Sequence, residues 1–246
     1  MNPNSPPPSK LSILGVRLDS LSKIELMQRL EACLLSNQLH HIITLNSLMI
    51  LETEEHLILK QICDEATLVI PESSGIAWAA SYLGYPKVER IPGIDLAFDM
   101  CALSSKMTLP IYFLGGAPGV AKDASIALLR AHPDLLVAGT RDGFFSENES
   151  TEVMQDIAKS GARLILVALG MPKQELWIHT HKAKLPPGVY VRVGGSFDVW
   201  AGRVKRAPVW TRSLGLEWLY RLLQEPYRWR RIALLPKFAL KIASKK

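Results

Sequence analysis

Short apolar runs recur along the chain, separated by longer segments with helical spacing. The runs at 11–14, 41–45, 67–70, 110–114, 135–138, 164–168 and 189–193 are four or five residues long and rich in Leu, Ile and Val. Strands buried on both faces of a parallel sheet read this way. Between them, Ser22-Lys23-Ile24-Glu25 has the form of a capping box and predicts a helix running to about Leu35. Segments 121–131 and 172–182 predict further helices, with Pro172 suited to a first-turn position. Strands alternating with helices imply an α/β fold: a Rossmann-like, mostly parallel sheet flanked by helices, its crossovers right-handed. The alternation stops near 202–206. The expected division is a disordered tail at 1–10, a Rossmann-like domain at 11–204 and a basic helical C-terminal appendage at 205–246.

Charge sharpens that last boundary. Residues 205–246 hold eleven Lys or Arg against Glu217 and Glu225, a net +9. The chain as a whole is +6, so the remainder is slightly acidic. Such asymmetry predicts an anionic partner for the appendage. Arginines there interleave with Trp210, Trp218, Trp229 and aliphatic residues, which suits the surface of an anionic membrane. The competing reading is a helical pair packed on the body with solvated arginines, and the two are compatible. Pro226 is expected to interrupt the helix that precedes it.

Cys33, Cys63 and Cys101 lie far apart and form no CxxC pair, which predicts neither a disulfide framework nor a zinc site. No apolar signal-peptide core opens the chain, and no run of about 18 apolar residues predicts a membrane-spanning helix. The expected location is cytoplasmic, peripheral on the inner face of a cell membrane.

Five polar turns follow predicted strands. Thr44-Leu45-Asn46 either orients a ligand or ends a strand whose Asn46 caps the next helix. Pro71-Glu72-Ser73-Ser74-Gly75 carries Glu72, either a general base or an acid near a helix start. Leu114-Gly115-Gly116-Ala117-Pro118-Gly119 is a partial glycine fingerprint, either a phosphate turn or a plain strand-to-helix turn. Gly170-Met171-Pro172-Lys173-Gln174-Glu175 offers Lys173 and Gln174 to a ligand, or is a charged surface turn. Gly194-Gly195-Ser196-Phe197-Asp198 offers Asp198 to a base or ribose, or as a helix cap. If the strands are parallel, all five turns share one edge of the sheet. No Asp-x-Asp, HExxH, GxSxG or Walker A sequence occurs, so neither a metal nor another cofactor is expected.

Together these stretches resemble the bacterial WecG/TagA/CpsF glycosyltransferases, over roughly residues 11–238. The most specific are Val167-Ala168-Leu169-Gly170-Met171-Pro172-Lys173-Gln174-Glu175, Val193-Gly194-Gly195-Ser196-Phe197-Asp198, and Lys205-Arg206-Ala207-Pro208 through Gly215-Leu216-Glu217-Trp218, Arg221, Glu225-Pro226 and Arg228. The resemblance implies a metal-independent, inverting transfer of N-acetylmannosamine or a related sugar. The donor would be a UDP-sugar, and the acceptor a polyprenyl-diphosphate-linked N-acetylglucosamine in surface-glycan synthesis. It implies Thr44 and Asn46 as a polar pair beside the reaction, and Arg90 near the pocket. Gln174 and Asp198 match donor-side positions, and the glycine turns at Gly115, Gly116 and Gly195 are expected to bind substrate. Arg221, Arg228 and Arg231 would bind diphosphates. No nucleic-acid partner is expected, and a homo-oligomer is left open.

One position departs from the family pattern, which has Asp-Gly after the proline where Glu72-Ser73 stands here. The extra methylene moves the carboxylate by about 1.5 Å, one C–C bond. Misplacement on that scale costs about 10²-fold in rate. Glu72 is then a repositioned base, or the subgroup takes an altered substrate. Two other classes stay open on the residues alone: a nucleotide-dependent oxidoreductase on a Rossmann-like sheet, and a non-enzymatic membrane or nucleic-acid adaptor.

Overall fold

A computed structural model describes residues 9–226 and 229–245. Two strands, β1 (Ser9–Ile13) and β2 (Val16–Ser20), form an antiparallel hairpin. The remaining strands are β3 (Leu39–Leu45), β4 (Leu68–Pro71), β5 (Ile111–Gly115), β6 (Val137–Arg141), β7 (Leu164–Ala168) and β8 (Gly188–Arg192). They make one parallel six-stranded sheet in the order β4-β3-β8-β7-β5-β6. Helices α1 (Lys23–Leu35), α2 (Ser47–Glu55), α3 (Leu57–Glu65), α4 (Ser74–Tyr82), α5 (Gly93–Lys106), α6 (Val120–Ala131), α7 (Ser150–Ser160), α8 (Lys173–His181) and α9 (Ser196–Trp200) follow through the body. The C-terminal part comprises α10 (Val209–Ser213), α11 (Glu217–Gln224), α12 (Trp229–Ile232) and α13 (Leu235–Ala243).

The α/β class and the parallel sheet are as expected, and α1 carries the predicted capping box. Ser22 Oγ accepts from Glu25 N, and Glu25 Oε2 accepts from Ser22 N at 2.9 Å. Such a cap stabilises a helix end by about 1 kcal/mol. Three details differ. The predicted strand at 11–14 belongs to the hairpin rather than to the main sheet, and its partner β2 was not anticipated. The reversal is made by Leu14 and Gly15, both at positive φ, the requirement of a tight hairpin turn. The predicted strand at 135–138 begins two residues later, because Leu135 packs into the core from the turn. Pro172 stands at the N-cap of α8, one residue before its first turn. The predicted N-terminal tail lies outside the described residues up to position 8, and Ser9 already belongs to β1.

Strand side chains alternate between two layers, as a pleated sheet demands. Ile42, Ile70, Phe113, Leu166 and Val191 pack against α1, α5, α6 and α9. On the opposite face, Ile43, Leu45 and Val69 meet α2, α3, α4 and the hairpin, while Leu114, Ile165, Val167 and Tyr190 meet α7 and α8. Buried Asp19 fastens the hairpin to β4. It accepts from Arg17 at 2.7 Å and from Val69 N at 2.8 Å.

This layering decides where a site can lie. After β5 the chain passes to α6 on one face, and after the neighbouring β7 it passes to α8 on the other. The same divergence occurs between β8, followed by α9, and β3, followed by α2. Neighbouring strands whose connections diverge leave a crevice beyond their carboxyl ends. The C-terminal helices close over it. Phe238 and Ile242 of α13 are buried among α2 and α4 residues, contributing roughly 1.5–3 kcal/mol each. Part of the basic appendage is therefore core. Pro226 follows the end of α11, as the sequence suggests.

Candidate active site

The crevice holds a cavity of about 750 Å³ over the ends of β3, β4, β7 and β8, roofed by the C-terminal helices. Thr44, Asn46, Glu72, Arg90, Gly116, Gly195, Asp198, Arg221 and Arg231 all line it, so the strand-end turns do converge. Gly115 and Gln174 stand behind the wall. Gly115 sits at φ +123° with no room for a side chain, since a Cβ there would lie 2.4 Å from the Ala168 backbone. Its glycine serves the packing of β5 on β7. Gln174 is fully buried and donates from Nε2 to Glu175 Oε1 at 3.0 Å. Arg228 lies outside the described residues.

Local structure explains how the floor is built. Asn46 caps α2 by accepting from Met49 N through Oδ1 at 3.0 Å, and the same amide donates from Nδ2 to Glu72 Oε2 at 3.1 Å. The cap requires an acceptor toward the helix, so the amide's donor must face the carboxylate. Both sequence readings of Asn46 therefore hold at once. Glu72 is anchored by its own backbone. Its N–H donates to Leu45 O at 2.9 Å, and its carbonyl accepts from Arg90 Nε at 3.0 Å.

Gly93, the first residue of α5, supplies the space for the longer acid. A Cβ there would stand 2.9 Å from Glu72 Oε1 and 3.1 Å from Thr44 Oγ1. The carboxylate and the hydroxyl thus converge over this glycine. Gly195 plays the same part under the roof, where a Cβ would lie 2.8 Å from Arg221 Nη2. Its absence lets α11 lay a guanidinium on the end of β8.

Arg90 is committed within the protein. Nη1 donates to Arg212 O at 3.2 Å and Nη2 pairs with Glu217 at 2.7 Å. Arg206 pairs with Asp95 of α5 at 2.5 Å. Lys205 and Gln224 exchange two hydrogen bonds, at 3.0 and 2.9 Å.

Sequence reasoning missed Arg192 and its partner. Arg192 closes β8, is 7% exposed and lines the cavity floor. Its Nε lies 3.0 Å from Glu175 Oε1, and its Nη1 donates to Thr44 O at 2.6 Å. Burial pushes the Glu175 carboxyl above its ordinary range, Arg192 pulls it back, and the charge of Glu72 pushes it up again. The available signal was a charged residue inside the run Val189-Tyr190-Val191-Arg192-Val193. Phe144 at the rim and Trp78 in the wall were also unanticipated, and Trp218, read as part of the appendage, lines the wall as well.

Beneath the site, His41 is buried in β3. Burial first, then the charges of Arg192 and His179, push its pKa down to about 3. An unfolded chain takes up that proton near pH 6.5, the folded one only near pH 3. Stability therefore falls as pH drops through this window, by up to about 1.4 kcal/mol per pH unit. Urea unfolding at stepped pH is expected to show a shallower decline between pH 6.5 and 4 for His41→Gln than for the parent. Parallel declines would mean that His41 ionises freely in the fold.

Comparison with known proteins adds an independent line. The profile described as the glycosyl transferase WecG/TagA/CpsF family matches residues 11–246. An N-acetylglucosaminyldiphosphoundecaprenol N-acetyl-beta-D-mannosaminyltransferase of Bacillus subtilis (strain 168) is 33% identical over 181 residues, 74% of this chain and 70% of the relative. The protein of the same name from Bacillus spizizenii (strain ATCC 23059 / NRRL B-14472 / W23) is 36% identical over 177 residues, 72% of this chain and 68% of the relative.

Proposed function

The chain belongs to the glycosyl transferase WecG/TagA/CpsF family, and from that premise we propose that it moves N-acetylmannosamine from UDP to an N-acetylglucosaminyl-diphosphoundecaprenol acceptor in surface-glycan synthesis. It is a glycosyltransferase, which removes the oxidoreductase and adaptor readings. The observation that carries the chemistry is the Glu72 carboxylate. It is held by Asn46 beside Thr44 on the floor of a cavity that Arg192 also floors and whose other walls carry Arg206, Arg221 and Arg231.

In the proposed reaction the acceptor hydroxyl oxygen attacks the anomeric carbon of the donor. Glu72 takes the hydroxyl proton as the new C–O bond forms. The bond from the anomeric carbon to the phosphate oxygen breaks, and its electron pair leaves with UDP. Fixed guanidinium groups stabilise that developing charge better than water can, because they need no reorganisation. A single displacement inverts the anomeric centre. Asp198 and Gly195 are assigned to the donor, and Arg221 and Arg231 to diphosphate oxygens.

The acceptor's lipid is met by the C-terminal helices. Among the described residues no helix is long and apolar enough to cross a membrane. Exposed Trp210, Leu214, Leu223 and Trp229 stand among Arg212, Arg230 and Arg231, a composition suited to anionic lipid headgroups and the acyl boundary. Two assays test the proposal. Incubated with a panel of UDP-sugars and the lipid-diphosphate acceptor, the protein is expected to release UDP fastest from UDP-N-acetylmannosamine. It should co-sediment with phosphatidylglycerol vesicles and remain in solution with phosphatidylcholine alone. Preference for another donor overturns the sugar assignment, and equal sedimentation with both lipids overturns the electrostatic docking.

A further inference from the structure

Glu217 has no part in the reaction as written above, yet it lies in the cavity wall, only 23% exposed. Its carboxylate is 2.7 Å from Arg90 Nη2. Arg90 connects three segments. Nε holds the Glu72 carbonyl, Nη1 holds the Arg212 carbonyl at the end of α10, and Nη2 holds Glu217 at the start of α11. A second tie runs in parallel, from Ser74 Oγ to Gly215 O at 3.3 Å. Gly215, at φ +72°, sits so close to Ser74 that a Cβ would come within 3.1 Å of it. The turn carrying Glu72 is thus tied to residues 212–217 twice, through Arg90 and through Ser74.

We propose that Glu217 is a positioning residue that acts through Arg90. Docking of α10 and α11 orients the Arg90 fork, and the fork fixes the backbone of Glu72, so the base is correctly placed only when these helices are closed on the body. The inference rests on the reading of Glu72 as the base. It turns the two C-terminal helices from a passive roof into part of the device that sets the base.

The physical reason is the shape of the guanidinium. Its donors are coplanar and fixed in direction. Pairing Nη2 with Glu217 selects one orientation of the plane, and only then does Nε point at the Glu72 carbonyl. With a neutral amide at 217 the charge-assisted bond becomes a weaker neutral one, and the fork is held less firmly in its plane. Displacement of a catalytic carboxylate by about 1 Å costs up to roughly 10²-fold in rate.

The test is a double-mutant cycle in the full chain, using UDP-N-acetylmannosamine and a short-prenyl diphosphate acceptor in detergent, so that membrane docking does not enter. Glu217→Gln is expected to lower kcat about tenfold, with KM and the Kd for UDP within about twofold. Arg90→Gln is expected to lower kcat by at least as much. Adding Glu217→Gln to Arg90→Gln should change kcat by less than about twofold, because the link is already broken. Glu217→Asp should recover part of the rate. Multiplicative losses in the double variant, or a change in KM alone, would overturn the proposal. Thermal midpoints of all variants identify any loss that is merely unfolding, and Glu217→Asp keeps the cycle readable if the Gln variant is unstable. The companion variant Glu72→Gln separates the two ideas. If it is active while the cycle is coupled, the base assignment fails and the Arg90–Glu217 link to turnover stands. If it is inactive while the cycle is additive, the link fails alone.

Discussion

Glu72→Gln is expected to lower kcat by about 10²–10⁴-fold, the range contributed by a positioned general base, while the Kd for UDP stays within about twofold. The substitution is nearly isosteric. Gln can present its amide oxygen to Asn46 Nδ2, so the 3.1 Å contact that orients the side chain survives. The space over Gly93 also accepts an amide as readily as a carboxylate. What disappears is the capacity to take a proton. Steady-state kinetics with calorimetry of UDP binding would separate the two quantities. Loss of UDP affinity in step with kcat would show that Glu72 binds the donor rather than activating the acceptor. Full activity would remove it from the chemistry.

The largest stability effect is expected at Arg192. Arg192→Met removes the ion partner of Glu175 and the 2.6 Å donor to the Thr44 carbonyl, and leaves a carboxylate at 0% exposure. Breaking a buried pair from one side costs about 3–5 kcal/mol, since the remaining charge is stranded without solvent. Removing both charges costs less. Arg192→Met with Glu175→Met is therefore expected to be more stable than Arg192→Met alone, in urea unfolding monitored by Trp fluorescence. Equal midpoints would mean that Glu175 is already neutral in the parent or that water reaches it in the variant. Catalysis should fall in both variants, because Thr44 and Asn46 take their positions from the end of β3.

What the sequence made legible was local. The capping box at Ser22 and Glu25 lies within four residues, and β7 is an uninterrupted run of five apolar positions, so both could be read directly. β2 was missed because Arg17 and Asp19 look like surface residues until the long-range bond from Val69 N to Asp19 is known. The insertion of β8 between β3 and β7 is a non-local choice that no short window encodes. The site divides in the same way. Turns after strands were predictable from parallel topology, so Thr44, Asn46 and Glu72 were placed at the sheet edge where the cavity lies. The Arg192–Glu175 pair joins residues on different elements, and neither is distinctive alone. Gly115 and Gly116 are identical in sequence, and only packing tells them apart: one faces Ala168, the other the cavity. Arg90 was legible as a pocket residue, but its commitment to Glu217, 127 positions away, was not.

The proposed reaction is a single displacement at the donor's anomeric carbon, with Glu72 as base, that joins N-acetylmannosamine to the lipid-linked acceptor. Its most direct test is the structure of the product. With UDP-α-N-acetylmannosamine and a prenyl-diphosphate N-acetylglucosamine acceptor, mass spectrometry and one-bond C–H couplings are predicted to show one added N-acetylhexosamine, in β linkage, and one UDP per transfer. UDP release without a lipid product, or a product in α linkage, would contradict it.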